Sequence, residues 1–350
     1  MKMKKFNLDK LVRNNVKNML PYSSARDEFT GLSAEMVFID ANENPFQNGL
    51  NRYPDPQQNV LKIKLATVKK IKKEQILLGN GSDEVLDLIY RAFCEPKSDN
   101  VILMPPTYGM YKVLANLNGV KCKEVLLSSD FQLNVPEIIE QIDENTKLIF
   151  VCSPNNPTGN EFLEKDIEMI LKNFNGIVVI DEAYIDFSNG KTWLEKLLDY
   201  PNLIVTQTFS KAYGMASIRL GICYASQEII NILNKIKPPY NVNILTQNAA
   251  LQKLDEMGVI HKQIEEINKN KHLLIKELNK IKFIQEIFPS QANFILVRVD
   301  DAKKRYDELL MKGIVARNRT KEPLCENCLR FTVGTGQEVS LLINTLKQLT

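Results

Sequence analysis

Between Glu74 and Tyr224 the chain alternates short apolar runs with amphipathic stretches: "QILLG", "VILMP", "KEVLL", "KLIFVCS", "GIVVIDEAY", "LIVTQT" and "RLGICYA". Several runs are apolar almost throughout instead of polar at every second position, the pattern of strands buried on both faces. The segments between them, such as Asp83–Cys94 and Glu161–Asn173, carry apolar residues at helical spacing. Strand and helix in alternation predict an α/β fold, with a mainly parallel, doubly wound sheet flanked by helices and functional groups at the carboxyl ends of its strands.

After Pro238-Pro239 the pattern changes. Asn243 to Ile281 is one long polar-amphipathic stretch, interrupted near Gly258, and predicts helices that leave the main sheet. "NFILVRVD", helical spacing over Ala302–Lys312, "GIVARN", "CLRFTVG" and a closing helix from Gln337 then predict a small α+β domain. The first 35 or so residues show no strong periodicity before "MVFIDANENP", as an arm packed on the small domain or on another subunit would. The predicted division is an arm at 1–35, a large domain at 36–240 and a small domain at 241–350.

Length supports that division, because 350 residues exceed what a single core usually holds. With 44% hydrophobic and 25% charged residues the chain has the balance of a soluble globular protein. A net charge of +3 gives no concentrated basic surface, so neither nucleic acid nor a membrane is expected as partner. The start, "MKMKKFNLDKLVRNNVKNML", lacks the apolar core of a signal peptide, and no run approaches the roughly 20 apolar residues of a membrane-spanning helix; a cytoplasmic location is expected. The six cysteines are scattered, several inside apolar runs where a thiol acts as a small hydrophobe. "CENC", Cys325–Cys328, has the spacing of half a zinc site or of a redox pair, but the only histidines, His261 and His272, lie far upstream, and no metal is expected.

Four stretches sit just past apparent strand ends. In "LLGNGSDEVLDLI" a strand runs into Gly79-Asn80-Gly81, and Ser82-Asp83 open a helix, so free N–H groups and the positive end of a helix dipole suit a phosphate, although a glycine turn with a Ser or Asp cap has the same sequence. "SPNNPTG" fixes a turn that presents the Asn155 and Asn156 amides, and a plain loop reads alike. "IVVIDEAY" delivers Asp181 to a strand end, with Tyr184 three residues on; a carboxylate there needs a hydrogen bond or a cation, unless it is simply a cap. In "QTFSKAYGMASIRLG", Lys211 stands among Thr208, Ser210 and Arg219. A lysine is usually a solvated surface charge, but it also forms Schiff bases with carbonyls when its amine is kept partly neutral. A phosphate site, an amine for an aldehyde and a carboxylate for a ring nitrogen jointly describe pyridoxal 5′-phosphate.

With "GNGSDE", "PTYGMY", "SPNNPTG", "DEAY" and "SKAYGMASIRLG", the chain resembles the fold-type I pyridoxal-phosphate aminotransferases over nearly its whole length. "PYSSAR", "IDANENPF", "NRYPDPQ", "VARNRTKEPL" and "CLRFTVGTGQE" resemble the histidinol-phosphate branch of that family. The resemblance implies that Lys211 is the Schiff-base lysine and later the proton shuttle. It implies that Asp181 pairs with the pyridinium nitrogen, that Asn156 and Tyr184 bond the phenolic oxygen, and that Tyr108 stacks on the ring. Gly81, Ser82, Asp83, Thr208, Ser210 and Arg219 would surround the phosphate, and Tyr53 would reach the phosphate of a neighbouring subunit in a homodimer. For substrate it implies Arg330 and Asn156, with Tyr22 and Arg317 as further phosphate ligands and Arg319 as a competitor for the Arg317 role. The implied substrates are L-histidinol phosphate and 2-oxoglutarate; aromatic or broad-specificity transamination and threonine-phosphate decarboxylation are the implied alternatives. Ser217 departs from the branch, which more often has glycine there. A cofactor-sensing regulator would need a DNA-binding module for which the 30-residue arm is too short.

Overall fold

The structure is a computed structural model that describes residues 6–22 and 37–349. Seven strands form its main sheet: β1 (Ile76–Asn80), β2 (Asn100–Leu103), β3 (Lys121–Glu124), β4 (Thr146–Cys152), β5 (Ile177–Asp181), β6 (Leu203–Thr208) and β7 (Leu220–Ala225), in the order β1-β7-β6-β5-β4-β2-β3. Strands β2 to β6 are parallel, whereas β7 runs antiparallel to both β1 and β6. The uninterrupted apolar runs are explained by two cores, one on each face. Leu148, Phe150, Ile177, Val179 and Ile204 enter one of them. Their alternates Ile149, Val151, Val178, Ile180 and Val205 enter the other.

The helices are α1 (Asn14–Asn18), α2 (Asn59–Lys69), α3 (Ser82–Phe93), α4 (Met110–Leu117), α5 (Val135–Glu140), α6 (Glu164–Asn173), α7 (Gln227–Ile236), α8 (Ile244–Asp255), α9 (Met257–Leu278), α10 (Ala302–Met311) and α11 (Gly336–Gln348). α3, α4 and α7 cover one face of the main sheet, joined by Val12 and Val16 from the N-terminal segment. That segment is tied to the large sheet's helices and not to the second sheet, since the Arg13 N–H donates to the Ala92 carbonyl at 3.0 Å and the Arg13 side chain pairs with Glu95. α2, α5, α6, α8 and the start of α9 cover the opposite face.

A second sheet has the order β10-β11-β9-β8, antiparallel throughout, from β8 (Ile284–Ile287), β9 (Phe294–Val299), β10 (Arg317–Asn318) and β11 (Cys328–Thr332). Ile295, Val297, Leu329 and Phe331 pack beneath α9, α10 and α11. The other face contributes Phe294, Leu296 and Cys328 to the core that continues under the main sheet. Alternation along β9 and β11 therefore turns one face of this small sheet toward the large one. Cys325 and Cys328 are both buried in that continuous core as small apolar groups.

Three elements depart from the periodicity. The ladder at "KEVLL" lies earlier, at Lys121–Glu124, because β3 is a partly exposed edge strand; Val125 and Leu127 come after it, although their N–H groups still donate to Leu103 and Pro105. The break in the long helical stretch falls at Glu256, and Gly258 lies inside α9. β8 has no apolar signature, since the inner residues of "IQEI" are exposed.

Candidate active site

The carboxyl ends of the parallel strands and the near face of the small sheet enclose a cavity of about 480 Å³. Ser82, Asp83, Tyr108, Asn156, Asp181, Tyr184, Thr208, Ser210, Lys211, Arg219, Arg317 and Arg330 all line it. The reversed direction of β7 is what brings its first residues, and Arg219 just before them, to the same end as the last residues of β5 and β6.

At one end stands an anion cradle. Gly81 is the N-cap of α3, with φ of 82° and no side-chain cap, so the first N–H groups of a 12-residue helix remain unclaimed by any cap. A Cβ on Gly81 would run into the Arg219 guanidinium, and one on Gly221, two residues away on the neighbouring strand, would run into the Gly81–Ser82 peptide. Both glycines are therefore required by close approach. Arg219 itself has φ of 54°, an unusual backbone for a residue with a side chain. Its Nη1 donates to the Ala216 carbonyl at 3.2 Å and to Ser210 Oγ at 3.5 Å, and its Nη2 is 3.7 Å from Asp83 Oδ2. Thr208 Oγ1 donates to Ser210 Oγ at 3.0 Å, which brings two hydroxyls beside the guanidinium.

At the centre, Asp181 is 3% exposed. Its Oδ2 accepts from the Tyr111 hydroxyl at 2.7 Å and its Oδ1 from the Ala183 N–H at 3.1 Å. Burial nonetheless pushes its carboxyl above the ordinary value, and no salt bridge reaches it among the described residues. A buried carboxylate lining a cavity without a cation partner has room for a cationic ring N–H. Tyr111 was not singled out in the sequence, where it reads as one apolar position of α4. Glu182, next in the chain, points elsewhere: it accepts from Thr192, the Trp193 N–H and Gln207, and burial pushes its carboxyl up to about 7.

Lys211 reaches the cavity, with its Nζ 5.5 Å from the centre of the Tyr184 ring. Crowding by protein lowers its pKa, and the Arg330 guanidinium lowers it further, against the opposing pull of Asp181. Burial raises the pKa of Tyr184, which keeps its hydroxyl protonated. Asn156 Nδ2 donates to that hydroxyl at 3.4 Å, and Arg330 Nη1 donates to Asn156 Oδ1. Arg330 also lies over the Phe294 ring, 4.9 Å from its centre. Asn155 is structural: it bonds Thr107, Thr158 and the Pro106 carbonyl.

A matching family model, "Aminotransferase class I and II", covers residues 32–346. The chain belongs to the class I and II aminotransferase family. Among its relatives, a histidinol-phosphate aminotransferase of Flavobacterium johnsoniae is 59% identical over 99% of this chain and 100% of its own length. Another, from Christiangramia forsetii, is 60% identical over 99% of both. In three dimensions the chain is similar to the histidinol-phosphate aminotransferase from Clostridium acetobutylicum, with a TM-score of 0.80 at 27% identity, covering 86% of this chain and 91% of that one. The aminotransferase fold thus brings together the candidate residues of the large sheet with Arg317 and Arg330 of the small one. Two candidates stay outside the cavity in the single chain: Tyr22 is 73% exposed, and Tyr53 stacks on Tyr240 at 4.5 Å beside a separate surface cavity. Arg26 of "PYSSAR" lies outside the described residues. Glu322, also at the cavity, was missed because "TKEPL" reads as a polar loop.

Proposed function

We propose that this chain is a histidinol-phosphate aminotransferase, moving an amino group between L-histidinol phosphate and 2-oxoglutarate to give imidazole acetol phosphate and L-glutamate. The observation that carries the reading is one cavity with an anion cradle at one end, three arginines at the other and Lys211 between them. The names of relatives near 60% identity support it. The cofactor-bearing domain takes residues 36–240 together with α8 and the start of α9, which pack on the main sheet, and the small domain takes the rest of 241–350.

The cavity residues fit pyridoxal 5′-phosphate. When bound, it supplies an aldehyde carbon that exchanges amines and a ring that takes up the electron pair left when a proton leaves the substrate Cα. The Ser82 and Asp83 N–H groups, Thr208, Ser210 and Arg219 would hold the phosphate. Asp181 would pair with the ring nitrogen and favour its protonated form, with Tyr111 fixing the carboxylate. Tyr184 and Asn156 would hold the phenolic oxygen as donors, and Tyr108 would cover the ring. The lowered pKa of Lys211 leaves more of its amine neutral near pH 7, as a group that takes a proton from Cα and returns it requires. Arg330 grips the substrate's anionic end with a planar fork that suits carboxylate and phosphate alike.

With 2-oxoglutarate as acceptor, purified protein is expected to convert L-histidinol phosphate at least about tenfold more efficiently than L-phenylalanine, and to release no carbon dioxide from threonine phosphate. A preference for phenylalanine, or decarboxylation, would replace this reading with one of its alternatives.

The working form is a cytoplasmic homodimer. No helix among the described residues is long and apolar enough to cross a membrane. Val37, Ile39, Phe46, Leu50, Tyr53 and Leu245 are large apolar residues at least half exposed, and three of them border one surface cavity. Covering by a second copy would carry Tyr53 to the partner's cofactor phosphate. Sedimentation at about twice the 40.0 kDa chain mass is expected. Tyr53→Phe should weaken cofactor retention by about tenfold, the value of one charge-assisted hydrogen bond. A monomer, or unchanged retention, would remove Tyr53 from the site.

A further inference from the structure

β10 and β11 form a short antiparallel ladder in which Arg317 pairs with Arg330. The Arg319 N–H extends that register by donating to the Cys328 carbonyl at 2.8 Å. Residues two apart on a strand share a face. Arg317, Arg319 and Arg330 therefore leave the ladder on one side, and all three line the cavity. Like charges directly opposed in a ladder are destabilising, so such a face calls for an anion.

The fold supplies only part of that anion. Glu322 is the one carboxylate lining this end of the cavity among the described residues, and its Oε1 lies 3.1 Å from Arg319 Nη2. Three guanidiniums against one carboxylate leave two positive charges in excess. A phosphate monoester near neutral pH carries up to two negative charges, and an amino-acid α-carboxylate carries one.

The three arginines are not held alike. Arg317 is exposed, and Arg330 is committed to Asn156 by one nitrogen. The Arg319 side chain is only 16% exposed; it is fixed by Glu322 at one edge, and its Nε is buried with no acceptor among the described residues. A buried guanidinium N–H without a partner costs free energy that a bound oxygen would recover. Arg330 Nε is in the same condition, so the two half-buried arginines each keep a buried Nε without an acceptor among the described residues.

We propose that Arg319 and Glu322 form a specificity-determining pair for the phosphate ester: Arg319 donates to the phosphate, and Glu322 is the positioning residue that holds its guanidinium toward the cavity. This rests on the reading of histidinol phosphate as substrate. It assigns the second phosphate charge to Arg319 and leaves the α-carboxylate of glutamate to Arg330.

The test follows the two half-reactions of the holoenzyme separately, with L-histidinol phosphate and with L-glutamate, and measures binding of inorganic phosphate by calorimetry. Arg319→Gln is expected to raise the apparent Kd for L-histidinol phosphate about 10- to 100-fold, as loss of a charge-assisted contact does. The Kd for L-glutamate should move less than about threefold. Inorganic phosphate should bind more weakly in parallel. Glu322→Gln should act in the same direction but less, Glu322→Asp should recover part of the loss, and neither should add to Arg319→Gln, because the pair works as one unit. Equal weakening toward both substrates, no change toward either, or additive effects of the two substitutions would overturn the proposal. If the wild-type holoenzyme reacts with L-glutamate and not with L-histidinol phosphate, the substrate reading falls on its own. The inorganic phosphate titration then still decides whether Arg319 binds phosphate.

Discussion

Lys211→Ala protein, reduced with borohydride in the presence of pyridoxal 5′-phosphate and analysed under denaturing conditions, is expected to carry no cofactor at this position, whereas the wild-type peptide containing Lys211 should gain the pyridoxyl mass. Turnover should fall by at least roughly 10⁴-fold, the upper end of what one positioned proton-transfer group contributes, since the same side chain also supplies the covalent attachment. The expectation rests on position. Lys211 follows β6, lies beside Tyr184 and has its amine destabilised as a cation by crowding and by Arg330. Noncovalent retention of cofactor should survive, because Arg219, Ser210, Thr208 and the start of α3 form their cradle without the lysine. A borohydride-fixed adduct on another lysine, with turnover intact, would remove Lys211 from its role.

Asp181→Asn should lower the rate of proton removal from the substrate by about 10²–10³-fold or more, the scale on which preorganised charge at a reacting centre acts. Substrate binding should change far less, because Arg330 lies on the other sheet. A stability measurement on apoprotein separates this effect from misfolding. The Asp181 carboxyl is held above its unfolded value, so the folded chain binds that proton more tightly. Stability is thus lost as pH rises from about 4, the unfolded carboxylate range, through the folded value. The amide does not titrate, so this loss should be missing from the pH dependence of Asp181→Asn apoprotein. A deuterium-sensitive rate equal to that of wild type would show that the ring nitrogen is held by another group.

The large sheet was readable because burial on both faces leaves runs such as Leu148–Cys152 and Ile177–Ile180 apolar at every position. The residues at the ends of those strands were readable through chemistry that a core does not need, above all Asp181 after four apolar residues. β8 escaped because its exposed inner residues leave no periodic signal, and the antiparallel sense of β7 escaped because a central strand looks alike in either direction. Tyr111 and Glu322 escaped for opposite reasons. A tyrosine at helical spacing is indistinguishable from core packing until its hydroxyl is seen to meet Asp181, and a glutamate in a polar loop looks like any solvated charge until it is seen to meet Arg319. The anchor positions Lys211 and Arg219 were legible as a pair, but the reason for their eight-residue separation was not.

That reason lies in the reversal between β6 and β7. Thr208 pairs with Gly221 and the Phe209 N–H donates to the Leu220 carbonyl at 3.0 Å, so the segment bearing Lys211 and Arg219 is a hairpin loop closed at its base. Local loops close at little entropic cost, whereas the contact between Arg330 and Asn156 joins residues 174 positions apart. The hairpin that carries Lys211 and Arg219 is thus built from nearby chain, whereas its meeting with Asp83 of the first strand-to-helix turn, and that of Arg330 with Asn156, joins segments far apart in sequence.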